Sequence, residues 1–318
     1  MRFIDQTNFA VAGRRLANTV KWHINPPPNF NMRIPDEVRK CVVYLGIESG
    51  PGTPPQNIKY GGTGFFVGVP AKKVHEASFM FLVTAKHVAD ALGSGAFWVR
   101  ANLKNGKSMN LRCVENQKWF LHPTDKAADV ALIPIALDQT FDFSVLPSTM
   151  ILTEKIRLEN GIGVGDSVFI TGLFVHHVGF AKNIPILRTG NIAMIPDERI
   201  PIRKFGDMEA YLIEARSIGG LSGSPVFTLA RSPEQVTVLL MGLMHGHWCV
   251  DSETIIDEVS QDAGTKAGVN VGIAIVTPAT KILDIINGAE LAKLLDDCEA
   301  KEIEKSSPSD QTQPTKKT

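Results

Sequence analysis

Gly219-Gly220-Leu221-Ser222-Gly223-Ser224-Pro225-Val226-Phe227 sets a serine between small residues and runs at once into apolar, strand-like sequence. The glycines matter because a turn without Cβ atoms lets backbone N–H groups come close to a substrate carbonyl, which side chains would obstruct. Such a turn alone carries little information. Two upstream segments give it meaning: Phe81-Leu82-Val83-Thr84-Ala85-Lys86-His87-Val88-Ala89-Asp90, then Ala128-Asp129-Val130-Ala131-Leu132-Ile133-Pro134-Ile135. The chain therefore offers a histidine, an aspartate and a serine, in that order. A serine hydroxyl is a weak nucleophile at neutral pH, so a base must take its proton, and that base must be held in one tautomer and orientation. Taken singly, His87 reads as a surface or cap histidine and Asp129 as a turn aspartate. Together with Ser222 they point to nucleophilic catalysis, with Ser224 as the rival nucleophile.

Around these segments the chain reads as short strands. From Cys41 onward apolar stretches rich in Val, Ile and Phe alternate with Gly, Pro, Asn and Lys: Cys41 to Ile47, Thr63 to Val69, Phe79 to Thr84, Phe97 to Leu103 and Val130 to Ile135. A second run follows, at Ser167 to Phe174, Ile186 to Ile195, Glu209 to Ala215, Ser224 to Leu229, Val236 to Met244 and Val271 to Ile275. Many short strands separated by turn residues predict an all-β sandwich or barrel. The reading divides the chain into an N-terminal extension (1–35), a first strand-rich half with His87 and Asp129 (36–140), a linker (141–155) and a second half with Ser222 (156–278). A C-terminal helical segment (279–305) and a disordered tail (306–318) complete it. Arg14 to Trp22 suggests a short helix, which Pro26-Pro27-Pro28 cannot continue. Residues 279–305 have helical periodicity broken at Gly288, with Leu291, Leu294 and Leu295 on one face. The tail has no aliphatic anchor. Two halves that divide the three residues between them would put a site in the cleft where they meet.

Composition narrows the function classes. Of the residues, 44% are apolar, ordinary for a globular protein, and 33 Lys and Arg balance 33 Asp and Glu, leaving no basic field to draw nucleic acid or an anionic membrane. Cys41, Cys113, Cys249 and Cys298 are scattered without C-x-x-C spacing, so neither a zinc knuckle nor a dense disulfide framework is indicated. The first residues lack the apolar core of a signal peptide and no apolar run is long enough to span a bilayer, which favours the cytoplasm.

At these positions the chain resembles the trypsin-like serine peptidase family, over roughly residues 36–280. Thr84-Ala85-Lys86-His87 resembles the family's T-A-x-H, Asp129-Val130-Ala131-Leu132 its D-[IV]-A-[LV], and Gly220 to Pro225 its G-x-S-G-[GS]-P. Gly62 to Val67 resembles an early G-[TS]-G-F strand of bacterial members, and Val164 to Gly172 their V-G-D-x-V-x-x-x-G strand. The resemblance implies a chymotrypsin-like double six-stranded β-barrel and a serine endopeptidase acting on protein or peptide substrates without metal or organic cofactor. By the same resemblance His87 is the base, Asp129 orients it, Ser222 attacks, and the N–H groups of Gly220 and Ser222 form the oxyanion hole. Ser224 matches the second glycine of the family motif, which implies a structural role. Leu221 departs from the family: digestive and clotting members carry an acid there that pairs with a new N-terminus after zymogen cleavage. That switch is therefore not expected. The resemblance points to the bacterial high-temperature-requirement type as the nearer relatives, but their following PDZ domain is not expected here.

Specificity is less legible. Arg216, six residues before Ser222, aligns with the base of the primary specificity pocket, where a cation would favour an acidic P1 side chain; the competing reading pairs it internally with Glu214 or sets it outside the pocket. His245 lies on a segment resembling the pocket wall. His245, His247 and Cys249 alternate and would share a strand face, formally a metal arrangement, but no fourth ligand is apparent and polar wall positions are the default. The functional alternative from another class is a catalytically impaired protease-fold protein that binds peptides or serves as a scaffold.

Overall fold

The computed structural model describes residues 3–4, 23–24, 34–202, 205–216, 219–232, 235–250 and 269–306. The helix expected within 14–22 and residues 307–318 lie outside the described residues; Ser306, assigned to the tail by its composition, instead ends the last helix.

The first half holds six principal strands: β1 (Val42–Glu48), β2 (Ile58–Pro70), β3 (Ser78–Thr84), β4 (Phe97–Asn102), β5 (Ser108–Cys113) and β6 (Ala131–Pro134). They pair in the order β5-β4-β1-β2-β3-β6. The second half repeats the number: β7 (Ser167–Gly172), β8 (Ile186–Met194), β9 (Tyr211–Glu214), β10 (Pro225–Arg231), β11 (Val236–Val250) and β12 (Val269–Pro278). Their order, β10-β7-β8-β9-β12-β11, closes into a ring because β10 also pairs with β11. Counted from one to six in each half, the neighbours run 5-4-1-2-3-6 in the first and the same in the second after the ring is cut between its fifth and sixth strands. One topology is thus used twice. Closure leaves no open edge in the second half.

Strand length and burial explain why these segments pair. In β3, Phe79 to Val83 are all buried, as are Phe65 to Val67 in β2, so both faces of each strand are covered. The largest apolar core takes in these residues together with Ile282, Ile285 and Ile286 of α3 and Leu291 and Leu295 of α4, following α1 (Lys86–Leu92) and α2 (Glu154–Glu159) in the chain. Helices α3 (Thr280–Ile286) and α4 (Ala289–Ser306) are separated at Asn287 and Gly288, the break the glycine predicts. Glu299 of α4, also buried, accepts the N–H groups of Lys72 and Lys73 at 2.7 and 2.8 Å and fixes the helix to the loop after β2. A second core fills the closed barrel with Val168, Ile170, Ile213, Leu221, Val226, Met241, Met244 and Val276.

Several elements differ from the sequence reading, among them α1, β5 and α2. β5, Ser-Met-Asn-Leu-Arg-Cys, carries too few apolar residues to signal a strand and owes its place to its ladder with β4. α2 begins where the crossover was expected to end, capped by the Thr153 hydroxyl, which accepts the Ile156 N–H. Cys41 and Cys113 are buried free thiols. Among the described residues no helix is long and apolar enough to cross a membrane.

Candidate active site

His87 stands in the first turn of α1, immediately after β3 delivers the chain to the junction of the halves. The first N–H groups of a helix lack intrahelical partners, and Ala85 at the N-cap has no side chain to supply one. Asp129 fills that gap: its Oδ1 accepts the His87 backbone N–H at 2.8 Å. Its Oδ2 lies 2.7 Å from His87 Nδ1. Both oxygens of one carboxylate are thereby fixed on one residue, and the negative charge sits at a helix N-terminus, where it is favoured. Asp129 is buried, while the His87 side chain keeps 29% of its surface open.

Ser222 arrives from the other half on the turn between β9 and β10. Three devices hold that turn. Leu221, completely buried in the second core, anchors it from below. The Gly223 N–H donates to Met244 O at 2.8 Å and the Thr63 N–H to Ser222 O at 3.0 Å, while the Thr63 hydroxyl donates to Gly220 O at 2.8 Å and accepts the Leu173 N–H at 2.9 Å. Thr84, three residues before His87, donates its hydroxyl to Thr63 O at 2.7 Å. Gly223 has φ +79°, and a Cβ there would stand 2.3 Å from both Thr63 O and Thr84 Oγ1. Only glycine lets the serine turn lie this close to the strand that leads into the His87 helix. The Ser222 hydroxyl itself donates to His245 O at 3.4 Å. Among the hydrogen bonds of the described residues, none uses the N–H of Gly220 or of Ser222.

The remaining candidates separate clearly. Ser224 is wholly buried against Gly172, where an added Cβ would meet its Oγ at 1.9 Å, and is inaccessible to a substrate. Arg216 and Glu214 are both exposed, and no ion pair joins them among the described residues. The alternation expected of His245, His247 and Cys249 is broken, because β11 shifts register against β12 between Met244 and Gly246 and again between His247 and Cys249. His247 is exposed, whereas His245 is buried with its Nδ1 2.5 Å from Asp129 Oδ2. Phe205, at the tip of the hairpin Ile200–Ile202 and Gly206–Met208, sets its ring edge-on to both imidazoles, 4.4 Å from His245 and 6.1 Å from His87 between centroids.

Sequence reading passes over Thr63, Thr84, Phe205 and the His245–Asp129 contact. Thr63 and Thr84 lie within segments already singled out, but their roles require knowing which strands meet; Phe205 sits on a hairpin with no motif.

Among the described residues His87, Asp129 and His245 form the one trio whose potential metal ligand atoms lie within 4.8 Å of one another. Ligands at 2.0–2.1 Å around a tetrahedral zinc are separated by about 3.3 Å. The 2.5 and 2.7 Å Nδ1–Oδ2 spacings are those of hydrogen bonds. Burial would raise the Asp129 pKa, but hydrogen bonds from His245 and His87, with the charges of both rings, hold it well below the ordinary carboxylate range. Asp129 is therefore an anion, able only to accept, which makes Nδ1 the protonated nitrogen of each ring.

No protein-family model matches the chain. No curated protein matches it either. In three dimensions it is similar to the MamO protease domain of Magnetospirillum magneticum, at 15% identity and TM-score 0.46 over 78% of this chain and 96% of that one. It is also similar to the HtrA-type protease AlgW with a decapeptide, at 15% identity and TM-score 0.43 over 83% of this chain and 65% of that one. The active form of the Rv3671c protease of M. tuberculosis gives 15% identity and TM-score 0.41 over 78% and 80%. The strand pairing itself defines the fold: one strand order used twice, closed into a six-stranded barrel in the second half. The twice-used strand order brings His245 of the second half against Asp129 of the first, and sets the Ser222 turn against Thr63 and the end of β3 at Thr84.

Proposed function

We propose that this protein is a serine endopeptidase. The observation that carries the reading is the double grip of a buried Asp129 on His87, beside a glycine-bearing Ser222 turn tied through Thr63 to the strand that ends at Thr84. In the proposed reaction Ser222 Oγ attacks the peptide carbonyl carbon as His87 Nε2 takes the hydroxyl proton. The oxyanion is received by the N–H groups of Gly220 and Ser222. The His87 proton then passes to the amine nitrogen as the C–N bond breaks, leaving an acyl-Ser222 that water, deprotonated by His87, hydrolyses. Asp129 holds the imidazole in its Nδ1–H tautomer and stabilises the imidazolium. Burial of Leu221 supports a turn held by packing, so activity without zymogen cleavage belongs to the same proposal. Arg216, exposed six residues upstream of Ser222, is proposed to favour acidic P1 side chains.

One observation favours a second reading, a protease-fold protein that binds peptides without cutting them: the Ser222 hydroxyl is engaged with His245 O. Digestion of a peptide library by the wild type and by Ser222→Ala separates the two. The endopeptidase reading predicts cleavage by the wild type alone, with Glu or Asp enriched at P1. Enrichment of small apolar or basic P1 residues would remove the role given to Arg216, and binding without cleavage would favour the second reading.

A further inference from the structure

One buried titratable side chain at this site has no part in the reaction just described. His245 is the extra residue of a bulge: Met244 pairs with Val276 and Gly246 with Ile275, leaving His245 unmatched on β11. A bulge of this kind re-aims a side chain out of the strand's alternation. Here it turns the ring away from its own barrel toward the carboxylate that serves His87. Asp129 Oδ2 consequently accepts two imidazole N–H groups, His87 Nδ1 at 2.7 Å and His245 Nδ1 at 2.5 Å, while Oδ1 accepts the His87 backbone N–H. The two rings stand 5.4 Å apart between centroids, edge to face. The groups that face His245 are Asp129, His87 and the uncharged Phe205 ring; among the described residues no other charged side chain is recorded against it.

We infer that, within the endopeptidase reading, His245 is a positioning residue: from the second half it fixes the rotation of the Asp129 carboxylate and couples its own protonation to that of His87. Three N–H donors leave the carboxylate one orientation, and the donor that completes the set comes from the opposite half of the molecule. Adding a proton to Nε2 of either ring makes a cation that shares Oδ2 with its neighbour. A charge on one ring is therefore felt by the other through the oxygen they share. A hydroxyl or amide donor in the same position would orient the carboxylate without this coupling.

His245→Asn tests the inference, because the Asn side-chain N–H can stand where Nδ1–H stood but does not titrate; His245→Ala removes the donor. The first readout is an NMR pH titration of the His87 ring in the full chain, which needs no activity. Wild type is expected to show a His87 curve spread over two coupled steps, and His245→Asn a curve of one step. The second is the rate of labelling by a fluorophosphonate: His245→Ala should lose about 10- to 100-fold, the range for one hydrogen bond to a charged group, and His245→Asn should recover most of it with a one-proton acid limb. Superimposable His87 titrations in wild type and His245→Asn overturn the inference, whatever the labelling. So does an Asn variant that melts like wild type but labels as poorly as Ala. Absence of wild-type labelling with the two-step NMR titration intact would instead remove the endopeptidase reading and leave the His87–Asp129–His245 coupling standing.

Discussion

Asp129 is the residue on which the site turns. Its carboxylate is removed from water and, among the described residues, recovers that loss through the N–H groups of His87 and His245. Asp129→Asn keeps the shape but cannot hold His87 in the Nδ1–H tautomer as an acceptor-only group does, and its labelling rate by a fluorophosphonate is expected to fall by about 10³–10⁴. A stability consequence follows from the depressed pKa. A carboxyl with a folded pKa below its unfolded value near 3.9 stabilises the fold fully above that value and loses the contribution as pH falls toward the folded one. The melting temperature of wild type should therefore fall as pH drops below about 4, and that of Asp129→Asn should fall less over that interval; parallel decline of the two would contradict the account. At this scale residue type and order singled out His87 and Asp129, which the structure joins by two hydrogen bonds, while the role of Ser222 belongs to the proposal. The sequence was silent on the His245–Asp129 contact because a bulge leaves no mark in the run Met244-His245-Gly246-His247.

At the scale of elements, position comes from close approach. The Ser222 turn reaches the β2–β3 pair because Gly223 presents no Cβ to Thr63 O and Thr84 Oγ1. Gly223→Ala must shift the turn against backbone, and a displacement near 1 Å at a reacting group lowers rate by about 10²-fold; labelling kinetics alongside a melting curve would separate that loss from unfolding. Leu221 acts from the other side of the turn. Leu221→Ala should lower stability by about 2–5 kcal/mol, as for other buried leucines cut to alanine, measured by urea unfolding. These elements were partly legible. Alternating and fully apolar runs announced β2, β3 and β6, and Gly288 announced the break between α3 and α4. β5 escaped because its polar sequence is held by its neighbour, and α1 because the seven residues from Lys86 to Leu92 are too short for a helical period to declare itself.

Across the whole molecule, the site requires two halves that stay in register. Arg100 of β4, buried in the first half, donates to Val178 O at 3.0 Å, Gly179 O at 2.9 Å and Phe180 O at 3.1 Å, all on the loop between β7 and β8 of the second. Asn102 and Asn183 exchange two further bonds across the same seam. Arg100→Ala leaves several carbonyls without their donors and should cost about 2–4 kcal/mol, with faster hydrogen exchange in residues 178–183 than in β10 or β11. The repeated strand order was foreshadowed by two runs of strands divided near residue 150, whereas the seam itself depends on loop conformations that local sequence does not specify. All of this geometry serves one claim, that Ser222 is a nucleophile activated by His87. Treating the folded protein with a fluorophosphonate and locating the adduct by mass spectrometry tests it most directly: one adduct on Ser222, absent from Ser222→Ala, is the predicted result, and a folded wild type that takes no label, or takes it on Ser224, would contradict it.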